Sequence, residues 1–206
     1  MRPPPPAGYT LGTMTPLRLH RLGMAYGRRV LFSELSAEVA PGQCLVVTGA
    51  NGAGKSTLLK IIAGLTRPET GTVDFADPFG YAAPDVHLYG ELTGRENLAF
   101  LARLRGVPAD TDSLLRSVGL PPKRGGDLVS AYSSGMRQRL KLASSLLGEP
   151  PLLLWDEPTA TLDASGRASA DELITKHRAR GGLAVVATND AAEADRWGDL
   201  RLTIGP

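Results

Sequence analysis

Gly49-Ala50-Asn51-Gly52-Ala53-Gly54-Lys55-Ser56-Thr57 is the stretch whose reading decides the fold of this chain. From Gly49 through Ser56 it fits G-x-x-x-x-G-K-[ST], with the flanks such a motif requires. The short apolar run Cys44-Leu45-Val46-Val47 enters it as a strand, and Leu58-Leu59-Lys60-Ile61-Ile62-Ala63 leaves it with helical spacing. Glycines in such a loop let successive backbone N–H groups turn inward around phosphate oxygens, helped by the positive end of the following helix. Lys55 is then expected on the β- and γ-phosphates and the Ser56 hydroxyl on Mg²⁺. The loop alone does not separate ATP from GTP.

Upstream, Leu17-Arg18-Leu19-His20-Arg21-Leu22 and Leu35-Ser36-Ala37-Glu38-Val39 alternate apolar and polar residues, with Tyr26-Gly27-Arg28-Arg29 as a turn between them. A period of two predicts half-buried, antiparallel strands. Downstream, Gly64 and Pro68 stop the helix that follows the loop, and Gly71-Thr72-Val73-Asp74-Phe75 and Phe79-Gly80-Tyr81-Ala82 read as short strands. Thr93-Gly94-Arg95-Glu96 is a capping box that opens a helix running through Leu98, Phe100, Leu101 and Leu104 to Gly106. A second helix is expected from about Thr111 to Val118, so residues from about 84 to 145 are expected to form a helical insert. In its last part, Tyr132-Ser133-Ser134-Gly135-Met136-Arg137-Gln138-Arg139-Leu140 places a helix start at Ser133 to Gly135. A serine hydroxyl with bare backbone N–H groups suits an anion, but serine is also a common plain cap, and alone the stretch reads as a cap.

Leu152-Leu153-Leu154-Trp155-Asp156-Glu157-Pro158 ends an unbroken apolar run in two carboxylates. Such a run suits a strand buried on both faces of a parallel sheet, whose C-terminal edge is where ligands bind. Asp156 is placed to hold Mg²⁺ directly or through its water shell, and Glu157 to polarise an attacking water. Without a phosphate loop upstream the same pair would read as a cap or a surface turn. The strand Leu183-Ala184-Val185-Val186-Ala187 reaches the same kind of edge at Thr188-Asn189-Asp190, after a helix from about Gly166 to Arg178. A final helix and the strand Leu200-Arg201-Leu202-Thr203-Ile204 complete the pattern, with no internal repeat.

With 206 residues, 42% apolar and 21% charged, the chain is sized and composed for one substantial core. Its longest apolar runs are far short of the roughly 20 residues a membrane-spanning helix needs. A net charge of +2 with scattered basic residues supports no nucleic-acid face, and no nucleic acid is expected as a partner. The single cysteine, Cys44, reads as a small buried hydrophobe, consistent with a reducing cytoplasm. Met1-Arg2-Pro3-Pro4-Pro5-Pro6 lacks the apolar core of a signal peptide, and residues 1–13 are expected to be a disordered, proline-rich tail, with Met14 as an alternative start. The three histidines form no metal-ligand cluster; His177, near a helix end, is expected to favour the helix dipole.

Taken as an ordered set, these segments resemble the ATP-binding subunit of ABC transporters over nearly the whole chain from Met14. Gly49 to Thr57 matches the family's Walker A loop, and Leu152 to Glu157 its Walker B strand with the catalytic glutamate. Ser133-Ser134-Gly135-Met136 is similar to the LSGGQ signature, Leu162-Asp163 to the D-loop, and Tyr26 stands where the family carries an adenine-stacking aromatic. The resemblance implies a P-loop ATPase fold at 14–206: a mainly parallel α/β sheet core, an antiparallel β subdomain and the helical insert. It also implies ATP and Mg²⁺ as ligands and a head-to-tail homodimer or heterodimer. Each ATP would lie between one subunit's Lys55 and the other's Ser133 and Gly135, on the cytoplasmic face of a membrane beside separate permease subunits. Within the family, the chain's compactness resembles the ATPase of the haem exporter used in cytochrome c maturation.

This sequence departs from the family in the signature, where Tyr132, Ser134 and Met136 replace Leu, Gly and Gln. Pro84, or Asp85 with a shift of one, stands at the Q-loop glutamine, and Asn189 at the switch histidine. Asparagine donates a hydrogen bond but carries no charge and shuttles no proton, so slow hydrolysis is expected. The departures also suit a soluble ATP-dependent switch acting on a non-membrane partner, although such proteins usually carry two cassettes or long insertions. A P-loop kinase would leave Ser133 to Arg139 and Glu157-Pro158 without a role.

Overall fold

A computed structural model describes residues 14–205, so the proline-rich segment before Met14 lies outside the described residues. In chain order the elements are β1 (Leu17–Tyr26), β2 (Arg29–Val39), β3 (Cys44–Thr48), α1 (Lys55–Ile62), β4 (Thr70–Asp74), β5 (Phe79–Ala82) and α2 (Gly94–Arg105). Then follow α3 (Thr111–Ser117), α4 (Ser134–Ser145), β6 (Leu152–Asp156), α5 (Ala164–Ala179), β7 (Leu183–Ala187), α6 (Ala191–Trp197) and β8 (Leu200–Thr203).

The all-apolar strands are the central ones. A five-stranded parallel sheet runs β5-β6-β7-β3-β8, and every residue of β6 and β7 is buried. Alternate side chains divide the core between the two faces. Leu45, Val47, Leu152, Leu154 and Val185 join α1 and the inner face of an antiparallel sheet ordered β2-β1-β4. Val46, Leu153, Trp155, Ala184 and Val186 join Leu140, Ala170, Ile174 and Trp197 of α4, α5 and α6. Each fully buried leucine or valine contributes about 1.5–3 kcal/mol. Since the strands are parallel, the turns after β3, β5, β6 and β7 leave at one edge, which brings together Gly49, Pro84, Glu157 and Asn189.

Strands β1 and β2 run farther than the alternation predicts, because the register shifts between Leu19 and Leu22 and beyond, with left-handed φ at Arg21 (48°) and Glu34 (52°). Each bulge inserts residues without ending the pairing, so the pattern breaks while the strands go on. Residues 84–92 fall within the expected helical insert but form turns, and helix starts at Gly94, directly after the Thr93 cap. Pro84 and Gly90 disfavour helix, and the predicted capping box is present: Thr93 Oγ1 accepts from Glu96 N–H at 3.2 Å and Glu96 accepts from Thr93 N–H at 2.8 Å. Between α3 and α4 the chain makes short 3-10 turns at Pro122–Gly126 and Val129–Ala131.

Cys44 is fully buried, and burial pushes its thiol up to about 12, as suits an inert core residue. His177 corrects the dipole expectation. It is 2% exposed, with Nε2 at 2.9 Å from the Leu183 carbonyl and Arg180 donating to Nδ1 at 3.2 Å. A ring that donates from one nitrogen and accepts at the other is neutral, so it offers the helix end no charge.

Candidate functional site

The loop between β3 and α1 needs glycine at two points for reasons of shape. Gly49 has φ +147°, and a Cβ there would come within 2.1 Å of the Ile204 carbonyl oxygen. Gly54, with φ +114°, caps α1, and a Cβ would press on Leu31 at 3.1 Å. The helix start has no side-chain cap. Its first N–H groups therefore remain available to an anion.

Lys55 is buried, and its Nζ donates to the carbonyl oxygens of Gly49 (2.7 Å) and Ala50 (3.3 Å) and to Asn189 Oδ1 (2.9 Å). Asn189 in turn donates from Nδ2 to Asn51 Oδ1 at 2.7 Å. The residue that sequence places at the end of β7 is thereby fastened to the loop after β3. The Ser56 hydroxyl stands beside the Asp156 carboxylate, which lies 3% exposed at the end of β6. Burial raises the Asp156 pKa, while Ser56 and Lys55 oppose the rise. Glu157 follows in left-handed backbone (φ 47°), with its N–H held by the Ala187 carbonyl at 2.9 Å. Non-glycine residues in that region store roughly 1–3 kcal/mol of strain, which turns the chain sharply at this carboxylate. Burial also raises the Glu157 pKa, against the pull of Lys55 and of the nearby Asn189 N–H.

Tyr26, 58% exposed, ends β1 opposite Arg29, which donates to the Gly52 carbonyl at 3.0 Å. The hairpin turn is thus tied to the glycine loop. Beyond β5, the Asp85 carboxylate pairs with Lys60 of α1 at 2.7 Å, and the Pro84 carbonyl accepts from Lys141 of α4 at 2.6 Å.

The helix start at Ser133 belongs to a different place. Ser133 Oγ accepts from Met136 N–H at 3.2 Å as an ordinary N-cap. Ser133, Gly135 and Asp163 line a cleft of about 540 Å³ with Gly119, Arg124 and Arg139, and no residue of the Gly49 loop shares that lining. Asp163 is committed within the chain: it caps α5 through Gly166 N–H at 2.8 Å and pairs with Arg139 at 2.5 Å. Sequence thus foresees Lys55, Ser56, Asp156, Glu157 and Asn189 as one cluster, which the fold assembles at one sheet edge, and Ser133 and Gly135 as a second, which it keeps apart.

Residues 32–160 match the family model described as "ABC transporter". The chain belongs to the ABC transporter family. It is 36% identical over 184 residues to the cytochrome c biogenesis ATP-binding export protein CcmA of Hyphomonas neptunium, covering 89% of this chain and 94% of that protein. It is 37% identical over 196 residues to the aliphatic sulfonates import ATP-binding protein SsuB 2 of Xanthomonas axonopodis pv. citri, covering 91% and 67%. Among solved structures, one titled as the ATP-binding subunit of an ABC transporter superposes with a TM-score of 0.83 at 28% identity, over 92% of this chain and 86% of that one.

The chain is accordingly an ABC ATPase subunit, and ABC ATPases pair with membrane permease subunits. Among its described residues no helix is long and apolar enough to cross a membrane.

Sequence reasoning missed Gln138 and Glu193. Gln138, buried in α4, donates to the Pro158 carbonyl at 2.9 Å, and Glu193, buried in α6, accepts from the hydroxyls of Thr159 and Thr188. Gln138 meets Pro158 and Glu193 meets Thr159 across 20 and 34 residues of sequence, so local spacing does not mark these contacts; only the Thr188–Glu193 bond, five residues apart, is local.

Proposed function

We propose that this subunit binds ATP with Mg²⁺ at the Gly49–Thr57 loop and hydrolyses it slowly, within a dimer that drives a membrane permease. The observation that carries this reading is the convergence of Lys55, Ser56, Asp156, Glu157 and Asn189 at one sheet edge. The residues fit the ligands. A buried ammonium solvated by neutral acceptors beside an uncapped helix start suits an anion, and the Ser56–Asp156 pair offers hard oxygen donors to Mg²⁺. Among the described residues no three histidine, cysteine or acidic side chains cluster as a protein metal cage, which accords with an ion that takes few protein ligands and keeps phosphate oxygens and waters. Bound there, Mg²⁺ would neutralise charge between the outer phosphates.

In this reading Lys55 and the loop N–H groups hold the phosphates, Glu157 accepts the proton of the attacking water, and Asn189 donates to the outermost phosphate. Ser133 and Gly135 cap the nucleotide of a second subunit, with Asp163 beside them. Phosphoryl transfer relies on positioning and charge stabilisation, most of which remains here. Asn189 supplies neither charge nor proton, and loss of one acid–base group commonly costs about 10²–10⁴-fold. Turnover assays test the roles. Glu157→Gln should lower kcat by about 10²–10⁴-fold, and Asn189→His should raise it by about tenfold or more. An unchanged rate in both variants overturns the assignment.

Export is the proposed direction, since the relative named for export is matched over 94% of its length and the one named for import over 67%. The permease would contact the turn from Pro84 to Leu92 and the insert. Tyr89, Phe100 and Leu104 are exposed there, and Tyr89 stacks edge-on against both His87 and Phe100. Co-purification from membranes of a polytopic subunit, lost on Phe100→Asp, tests that contact.

A further inference from the structure

Glu193 is 1% exposed in the first turn of α6, and nothing in the phosphate chemistry described so far uses it. Its Oε1 accepts from the Thr159 hydroxyl and its Oε2 from the Thr188 hydroxyl at 2.7 Å. A buried carboxylate is costly unless hydrogen bonds replace its water, and here both oxygens are satisfied from two different loops. Capping does not explain it. Asp190 already caps α6, accepting from Ala192 N–H at 2.9 Å and Glu193 N–H at 3.3 Å.

Its two partners are informative by their positions. Thr159 lies two residues beyond Glu157, in the turn that the left-handed backbone at Glu157 begins. Thr188 immediately precedes Asn189 and also accepts from Asp190 N–H at 3.0 Å, so its hydroxyl holds the backbone on either side of Asn189. The two turns otherwise touch through the Glu157 N–H on the Ala187 carbonyl. A carboxylate set behind both turns fixes their separation without occupying either functional side chain.

We propose that Glu193 is a positioning residue that clamps the Glu157 turn to the Asn189 turn, so that carboxylate and amide face one phosphate at a fixed separation. This rests on the reading of Glu157 as the group that activates water. Misplacing a reacting group by about 1 Å can cost about 10²-fold, whereas most of the grip on phosphate comes from Lys55 and the uncapped helix start of the Gly49 loop itself.

The test uses the full chain with four variants: Glu193→Ala, Glu193→Gln, Thr159→Val and Glu157→Gln. Glu193→Ala and Thr159→Val should each lower kcat by about 10- to 100-fold, with KM and ATP affinity within about twofold of the parent. Glu193→Gln should restore most of the rate, because an amide can accept from one threonine and donate to the other. Amide hydrogen exchange of the nucleotide-free chain supplies a readout apart from turnover: residues 157–163 and 188–190 should exchange faster in Glu193→Ala than in Glu193→Gln. If Glu193→Ala and Thr159→Val keep kcat while Glu157→Gln loses it, the clamp is wrong and the water-activating role stands. If Glu157→Gln keeps kcat, the underlying reading fails first. A parallel fall of kcat, affinity and melting temperature in both Glu193→Ala and Thr159→Val makes the residue merely structural and also overturns the proposal.

Discussion

At the sheet edge, Lys55, Asn189 and Asn51 are already joined by hydrogen bonds within the chain, with the Asp156 and Glu157 carboxylates close enough to feel the Lys55 charge, whereas at the start of α4 the N–H groups behind Ser133 open into a cleft. The first region is pre-organised. A ligand there exchanges one set of acceptors around the Lys55 ammonium for another, with little rearrangement of the backbone. In the second, the serine satisfies one N–H of the helix start, and the remaining donors have no carbonyl to bind by helix geometry. The contrast is what the proposed dimer requires: in that reading the outward half is completed by a second subunit.

The strongest way to break this contrast is to make the outward half repel what the inward half holds. Ser133→Glu keeps a side-chain acceptor for Met136 N–H but places a negative charge at the helix start. ATP affinity of the isolated chain should stay within about twofold, while turnover falls by about 10²–10³-fold, roughly 3–4 kcal/mol of barrier. Nucleotide-trapped dimers of Glu157→Gln should also disappear when Ser133→Glu is added, as read by light scattering. Equal loss of affinity and turnover would mean that Ser133 serves the nucleotide of its own chain, and the contrast would collapse.

How much of this was legible in the sequence follows the same division. The Gly49 loop, β6 and β7 could be read because their signals are local: glycines where a side chain would strike Ile204 or Leu31, and apolar runs where both faces are covered. The capping box at Thr93 was legible for the same reason. Residues 84–92 were counted with the helical insert although Pro84 and Gly90 keep them in turns, and the bulges at Arg21 and Glu34 hid the true length of β1 and β2. Within the site, the position of Asn189 could be foreseen but its bond to Lys55 could not, since that depends on β7 lying beside β3. Gln138 and Glu193 were invisible because Pro158 and Thr159 are brought to them only by the fold, and a threonine five residues before a glutamate is no signal without that second partner.

His177 sharpens the comparison from within, as a polar group that the chain closes off with no ligand in view. Burial is the largest cause of its depressed pKa, about 4 against an ordinary 6.5, and the neighbouring Arg180 adds to it, while the bond to the Leu183 carbonyl opposes. The folded state binds its proton less readily than the unfolded state. Its contribution is therefore fully present above pH 6.5 and is lost as pH falls from there toward about 4. The whole loss is roughly 3 kcal/mol. Urea unfolding between pH 7.5 and 4 should show it as a slope that His177→Gln removes, since glutamine can donate to Leu183 and does not titrate in that window. The nucleotide affinity at pH 7.5 should be the same in both chains.

The smallest expected effect lies at Tyr26, which stands between the two classes. The residue is 58% exposed, yet it pairs across the hairpin with Arg29, whose guanidinium holds the Gly52 carbonyl at 3.0 Å. An exposed ring on an anchored turn is what a stacking platform for a base requires, and an aromatic contact of this kind is worth about 1–3 kcal/mol. Water reaches much of the ring, so Tyr26→Ala should weaken ATP binding by roughly 1 kcal/mol, about fivefold, with Tyr26→Trp restoring it. Inorganic triphosphate separates the base from the phosphates. Its affinity should be unchanged by Tyr26→Ala, because Lys55 and the loop still grip it. Should triphosphate and ATP weaken equally, the ring acts by holding Arg29 and the glycine loop in place, and Tyr26 joins Lys55 and Asn189 among the groups that the chain has already closed upon itself.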